Sequence, residues 1–197
     1  MTYSAVILAG GQSRRMGRDK AFLQVDGGQS LLARQIEIIR HAGAAEIYIS
    51  GRADTDYSAF GCRVLPDRYP DVGPLAGIEA ALNAATHPLL LVLAVDLPRM
   101  SASCLRRLLA GCTEERGGIP CLHGQAEPLA AVYPRATQVL AAAQIRAGEN
   151  AVRAFAEQCV EAGLARWEEF SADAAPCFDN WNNPCDLAQL APATKPA

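Results

Sequence analysis

Short apolar runs alternate along the chain with longer stretches in which apolar residues recur every three or four positions. Residues 3–8 are a β-branched and apolar run of strand length. Residues 31–42 carry Leu32, Ile36 and Ile39 at helical spacing, and Gly43 follows, which predicts a helix with a glycine stop. Strands are predicted over 46–50 and 62–65, and Pro74 takes the first-turn position of a helix over 75–85. Residues 89–95 form the most apolar run and predict a central parallel strand buried on both faces, ending in Asp96-Leu97-Pro98. Ser101 opens a further helix with Leu105, Leu108, Leu109 and Cys112 on one face. Residues 119–133 mix turn residues with short extended runs. Ala-rich helices are predicted over 137–147 and 150–161, then a strand-like segment over 166–170. Asn183-Pro184 has the form of a cap and first turn for a helix to residue 190, and the Pro/Ala tail over 191–197 is expected to be disordered.

This alternation predicts one α/β domain over 1–190, an open, mostly parallel Rossmann-like sheet with helices on both faces. Ligands of such sheets bind at the carboxyl ends of the strands. The functional positions are therefore expected just after Leu8, Ser50, Leu65 and Val95, and the polar motifs fall there.

Composition narrows the function. The formal net charge of -3 argues against the broad basic surface that nucleic-acid binding needs. No apolar run approaches the ~20 residues required to span a bilayer, and the N-terminus lacks a basic leader, so the expected location is the cytosol. The seven cysteines are scattered without a C-x-x-C pair, which reads as small buried hydrophobes in a reducing compartment. His41, His87 and His123 form no cluster.

The first candidate site is the loop from Leu8 to Lys20. Gly10 and Gly11 let bare N–H groups approach an anion. Arg14, Arg15, Arg18 and Lys20 add four cations within seven residues, the density a triphosphate requires. Lys20 is one of only two lysines in the chain, the other being Lys195 in the tail. An ammonium is a compact point charge suited to sit between phosphate oxygens. The loop is neither a Walker A sequence nor a dinucleotide fingerprint. The second candidate is Asp96, a carboxylate at the end of a buried strand. It needs a partner there, and Mg²⁺ commonly takes one or two carboxylates plus substrate phosphates. Its alternative role, capping the next helix, suits Ser101 better. Asp67, Asp71, Gly73 and Gly77 lead into the helix at Pro74 and read singly as a loop-to-helix turn. Asn180 and Asn182, with Glu127-Pro128-Leu129 earlier, offer groups for a polar heterocycle.

Leu8-Ala-Gly-Gly-x-Ser-x-Arg-Met-Gly-x-Asp-Lys20 resembles the signature of the nucleotidyltransferase superfamily, whose sheet is of the nucleotide-diphospho-sugar transferase type. With Gly73-Pro-Leu-Ala-Gly77, Asp96-x-Pro98, Glu127-Pro-Leu129 and Asn180-x-Asn182-x-Pro184, the whole series resembles the molybdenum cofactor guanylyltransferases. That resemblance implies transfer of GMP from GTP to molybdenum-molybdopterin with Mg²⁺ as cofactor. It implies that Leu8, Ala9, Gly10, Gly11, Lys20, Asp67 and Asp96 bind GTP, with Asp96 also on the metal. Lys20, Arg15 and Asp96 would be catalytic, and Asn180 and Asn182 would line the pterin side. Ser50 stands where relatives often have Asn and is assigned to the nucleotide. Transient contact with cofactor-biosynthesis proteins or apo-molybdoenzymes is a further implication. A cytidylyltransferase acting on the pterin or on a sugar or polyol phosphate is the alternative enzyme. A non-catalytic cofactor carrier is the alternative of another class, and it would need neither Lys20 nor Asp96.

Overall fold

The computed structural model describes residues 1–10, 20–25, 28–66, 69 and 72–181. Gly11, Arg15, Asp67 and Asn182, the helix expected over 183–190 and the tail over 191–197 lie outside these residues. Among the described residues eight strands form one mixed sheet: β1 (Ser4–Leu8), β2 (Glu46–Ser50), β3 (Arg63–Leu65), β4 (Leu89–Ala94), β5 (Gly117–Leu122), β6 (Gln125–Ala126), β7 (Ala130–Pro134) and β8 (Ala165–Glu169). Their order is β3-β2-β1-β4-β7-β5-β6, with β8 paired to β5. Strands β3, β2, β1 and β4 run parallel, and β8 runs parallel to β5.

The helices are α1 (Leu31–Ala42), α2 (Pro74–Ala84), α3 (Ala102–Ala110), α4 (Gln138–Arg146) and α5 (Val152–Glu161). Strict alternation in β1 and β4 decides which face each helix covers. Ala5, Ile7, Leu89, Leu91 and Leu93 pack with Leu32, Ile36 and Ile39 of α1 and Leu105 and Leu108 of α3. Val6, Leu90 and Val92 pack on the other face with Leu75 and Ile78 of α2, Ile145 of α4 and Phe155 of α5. The helix ends follow local chemistry. Ser30 accepts from the Ala33 N–H at the start of α1, and Gly43 ends it in the left-handed region at φ 97°. Ser101 accepts from the Cys104 N–H at 3.2 Å, so Ser101, and not Asp96, caps α3.

The stretch 119–133 holds the departure from a parallel pattern. His123 and Gly124 take positive φ in a tight turn, and β6 folds back on β5. That two-residue turn is a connection short enough to join only antiparallel strands. Glu127-Pro128-Leu129 then carries the chain onward in the same direction into β7, which like β6 runs antiparallel to β5 and lies between β4 and β5. At the amino end of the parallel strands, the Glu46 carboxylate gathers the Ser4 hydroxyl, the Thr86 N–H at 2.8 Å and the Thr86 hydroxyl at 3.1 Å, with His87 Nδ1 3.4 Å away. No helix among the described residues is long and apolar enough to cross a membrane.

Candidate active site at the carboxyl edge of the sheet

The four parallel strands finish at one level. Leu8 is in register with both Ser50 and Ala94, and Ser50 with Leu65. Pairing continues one residue further, through Ala9 N–H to the Ser50 carbonyl at 2.7 Å and Val95 N–H to the Leu8 carbonyl at 3.2 Å. Ala9-Gly10, Ser50-Gly51 and Asp96 therefore leave the sheet side by side, which places residues far apart in sequence around one edge. Gly10 is not in the left-handed region. A Cβ there would meet the Gly51 and Ser50 backbone only at 3.7–3.9 Å, an ordinary contact. The turn itself does not require glycine at position 10, contrary to a reading based on backbone freedom alone.

Lys20 opens a 3-10 turn over Lys20–Phe22. Its ammonium donates to Asp96 Oδ2 at 3.0 Å and to the Trp181 carbonyl at 2.7 Å. The Trp181 N–H in turn donates to the Asp96 carbonyl at 3.0 Å. Three motifs separated by 76 and 161 residues thus meet at one ammonium. The two charged side chains are 18% and 23% exposed, open enough for a ligand and dry enough for charge to matter. Asn180, beside Trp181, is exposed.

The first turn of α2 reaches the same edge. Gly73 adopts φ 85°, a backbone state that favours glycine, and delivers Pro74 to the first turn with no side-chain cap. Pro74 brings no N–H to this turn, and the Ala76 N–H donates to the Gly73 carbonyl at 3.1 Å. Gly77 lies directly on the strand ends: a Cβ there would sit 2.3 Å from Ser50 Oγ and 3.0 Å from Leu8 Cδ2. The Ser50 hydroxyl is therefore placed between the end of β2 and α2. Leu129 joins from the antiparallel strand, accepting from the Ala94 N–H at 2.8 Å. Two residues before it, burial raises the Glu127 carboxyl above the usual carboxylate range.

Among the described residues no group of three or more His, Cys, Asp and Glu could hold a metal ion. Asp96 stands as a single carboxylate, with Oδ2 on Lys20 and no hydrogen bond to Oδ1 among the described residues. The thiols of Cys62, Cys104, Cys112, Cys121 and Cys159 are unsuited to nucleophilic work. Burial pushes Cys104 and Cys159 up to about 12 and Cys112 to about 11, and Cys62 and Cys121 are also raised by burial.

Two features of the site have no motif in the sequence reading. A main-chain carbonyl such as that of Trp181 can be supplied by any residue, so it leaves no signature. The buried Gln35 of α1 did leave one: an amide on the apolar face between Leu32 and Ile36. Its Nε2 donates to the Leu97 carbonyl at 2.7 Å, one residue past Asp96.

A family model described as "MobA-like NTP transferase domain" matches residues 5–162. A probable molybdenum cofactor guanylyltransferase from Opitutus terrae is 36% identical over 186 residues, covering 93% of this chain and 92% of the relative. A molybdenum cofactor guanylyltransferase from Rhizobium meliloti is 41% identical over 200 residues, covering 94% and 88%. The crystal structure of molybdopterin-guanine dinucleotide biosynthesis protein A from Archaeoglobus fulgidus superposes with a TM-score of 0.74 at 23% identity, covering 95% of this chain and 96% of that one. The 2-C-methyl-D-erythritol 4-phosphate cytidylyltransferase from Thermus thermophilus gives the same TM-score and identity, covering 96% and 97%. At that identity the two structures speak for the fold alone.

Proposed function

Since the chain belongs to the family of MobA-like NTP transferase domains, we propose that it transfers GMP from GTP to the terminal phosphate of molybdenum-molybdopterin, forming molybdopterin guanine dinucleotide and pyrophosphate. The observation that carries this reading is the meeting of Lys20, Asp96 and the Trp181 main chain at the carboxyl edge. A polyphosphate there finds a cation and an acid already in place.

An oxygen of the pterin phosphate attacks the α-phosphorus of GTP, and the bond to the bridging oxygen breaks. Pyrophosphate leaves with that electron pair. No protein nucleophile takes part. The work of the chain is to align the two phosphates and to offset charge. Leu8, Ala9, Gly10 and Gly11 cradle the nucleotide along the end of β1, with Ser50 and Asp67 beside it. Lys20 and Arg15 donate to the leaving phosphates. Asn180 and Asn182 hold the pterin. A single carboxylate with one oxygen to spare fits an ion bound largely through its substrate, so Asp96 would hold Mg²⁺, which supplies neutralisation of the triphosphate charge. Proteins of cofactor biosynthesis or apo-molybdoenzymes would collect the product.

The test is the thermal shift with each of GTP, CTP, ATP and UTP in Mg²⁺. GTP should stabilise most, by about 2.7 kcal/mol at ~100 times its dissociation constant. An equal or larger gain with CTP would turn the reading to a cytidylyltransferase. Binding of the pterin cofactor without any GTP turnover would turn it to a carrier.

A further inference from the structure

The functional reading leaves unused the buried amide of Gln35 and the guanidinium beside it. Gln35 is fully buried on α1. Its Nε2 donates to the Leu97 carbonyl at 2.7 Å and approaches the Val95 carbonyl at 3.5 Å, so it touches the main chain on both sides of Asp96. One residue earlier, Arg34 Nε donates to the Pro98 carbonyl at 2.7 Å. The same helix begins by donating its Leu31 N–H to the Leu23 carbonyl at 2.9 Å, which fixes the chain that leaves the Lys20 turn. Leu23 N–H itself closes onto the Lys20 carbonyl at 3.1 Å. The first turns of α1 are thus joined to the segments carrying both the ammonium and the carboxylate.

An amide on an apolar helix face is costly unless bonded. Gln35 meets that cost with its donors only, for its Oε1 has no partner among the described residues. Packing of α1 would be served as well by Met or Leu at this position. The donors are aimed at the turn that holds Asp96, where the Leu97 carbonyl also accepts from the Met100 N–H at 3.1 Å. We infer that Gln35, assisted by Arg34, is a positioning residue that fixes the Asp96 turn relative to Lys20 so that the carboxylate meets the metal–nucleotide complex. This rests on the proposal that Asp96 holds the metal.

The experiment compares GTP affinity in Mg²⁺ and in EDTA, by calorimetric titration, for wild type, Gln35→Met, Arg34→Ala and Asp96→Asn, with urea unfolding of each ligand-free protein. Outer-sphere partners of metal ligands typically contribute 10–100-fold to metal affinity. Gln35→Met should weaken binding in Mg²⁺ by about tenfold, leave binding in EDTA unchanged and keep the urea midpoint. Adding it to Asp96→Asn should cause no further loss, because coupled residues are not additive. Arg34→Ala, at a half-buried position, should show the same pattern more weakly. Equal losses in Mg²⁺ and EDTA, or losses matched by a fall in the urea midpoint, would assign Gln35 to packing and overturn the inference. Should Gln35→Met not fold, wild-type Mg²⁺ dependence in Arg34→Ala overturns it as well. Asp96→Asn separates the two ideas: if it binds Mg·GTP like wild type, the metal assignment itself has failed and the inference goes with it.

Discussion

An ammonium and a carboxylate held 3.0 Å apart offset one another until an anion and a cation arrive together. On the proposed function, Lys20 would then meet phosphate oxygens, and Asp96 a metal. Lys20→Ala should lower turnover by about 10²–10³-fold, the loss typical of one preorganised donor. Its fold should survive, because partly exposed pairs contribute only about 0–1 kcal/mol. Near-normal turnover in a single-turnover assay would remove Lys20 from the mechanism. Asp96→Asn keeps the shape and deletes the charge, so activity should collapse while the urea midpoint stays close to wild type. A fully active Asp96→Asn protein would sink the metal assignment. Both residues were legible in the sequence, Lys20 as a rare lysine beside glycines and Asp96 as a charge closing an apolar strand. What they touch was not legible. The acceptor on Trp181 is main chain, and the partners of Gln35 depend on how α1 crosses the sheet.

At the scale of elements, the seam between α2 and β2 is set by a missing side chain. Gly77→Ala would drive a methyl to 2.3 Å from Ser50 Oγ, with Ser50 Cβ and Leu8 Cδ2 at 3.0 Å. Overpacking of this kind costs about 1–3 kcal/mol. Ser50→Ala removes the nearest atom, so the double variant should recover part of the loss in urea unfolding. Additive losses would mean that the helix itself had shifted. Helices and parallel strands were readable because caps and apolar periods mark them: Ser30, Gly43, Pro74 and Ser101 each stand where an element begins or ends. The region around β5 and β7 was not, since its glycines resemble turn residues. Gly117 instead lies within β5, where a Cβ would come 2.0 Å from the Val132 carbonyl oxygen. It serves close approach of two backbones, and no local pattern distinguishes that use from a turn.

For the molecule as a whole, the two edges of the parallel sheet differ in chemistry. The carboxyl edge collects the groups proposed to meet the substrates, while the amino edge is tied by Glu46. Burial alone would raise that carboxyl, but the hydrogen bonds from Ser4 and Thr86 outweigh it and hold the value at about 2 against an ordinary 4.5. A carboxyl lowered in the folded state stabilises above pH 4.5, and that contribution is lost as pH falls towards 2. Glu46→Gln should flatten this part of the stability–pH curve and leave turnover at neutral pH unchanged. An unaltered acid limb in pH-dependent urea unfolding would place the sensitivity on other carboxylates.

The contact between Lys20 and Trp181 also sets a time at which the enzyme can begin to work. Their 161-residue separation means that, at about 5–20 residues per second, the ribosome adds the carbonyl about 8–32 s after the ammonium it will receive. Asp96 comes between them, so a nascent chain carries both charges well before the main-chain clamp that joins them. Ribosome-arrested chains that have released residue 181 from the exit tunnel should capture Mg·GTP, and those halted earlier should not. Equal capture by both would make the clamp dispensable. Otherwise each molecule is made inert, and its phosphate chemistry is withheld until every described strand of the sheet that must support it has been made.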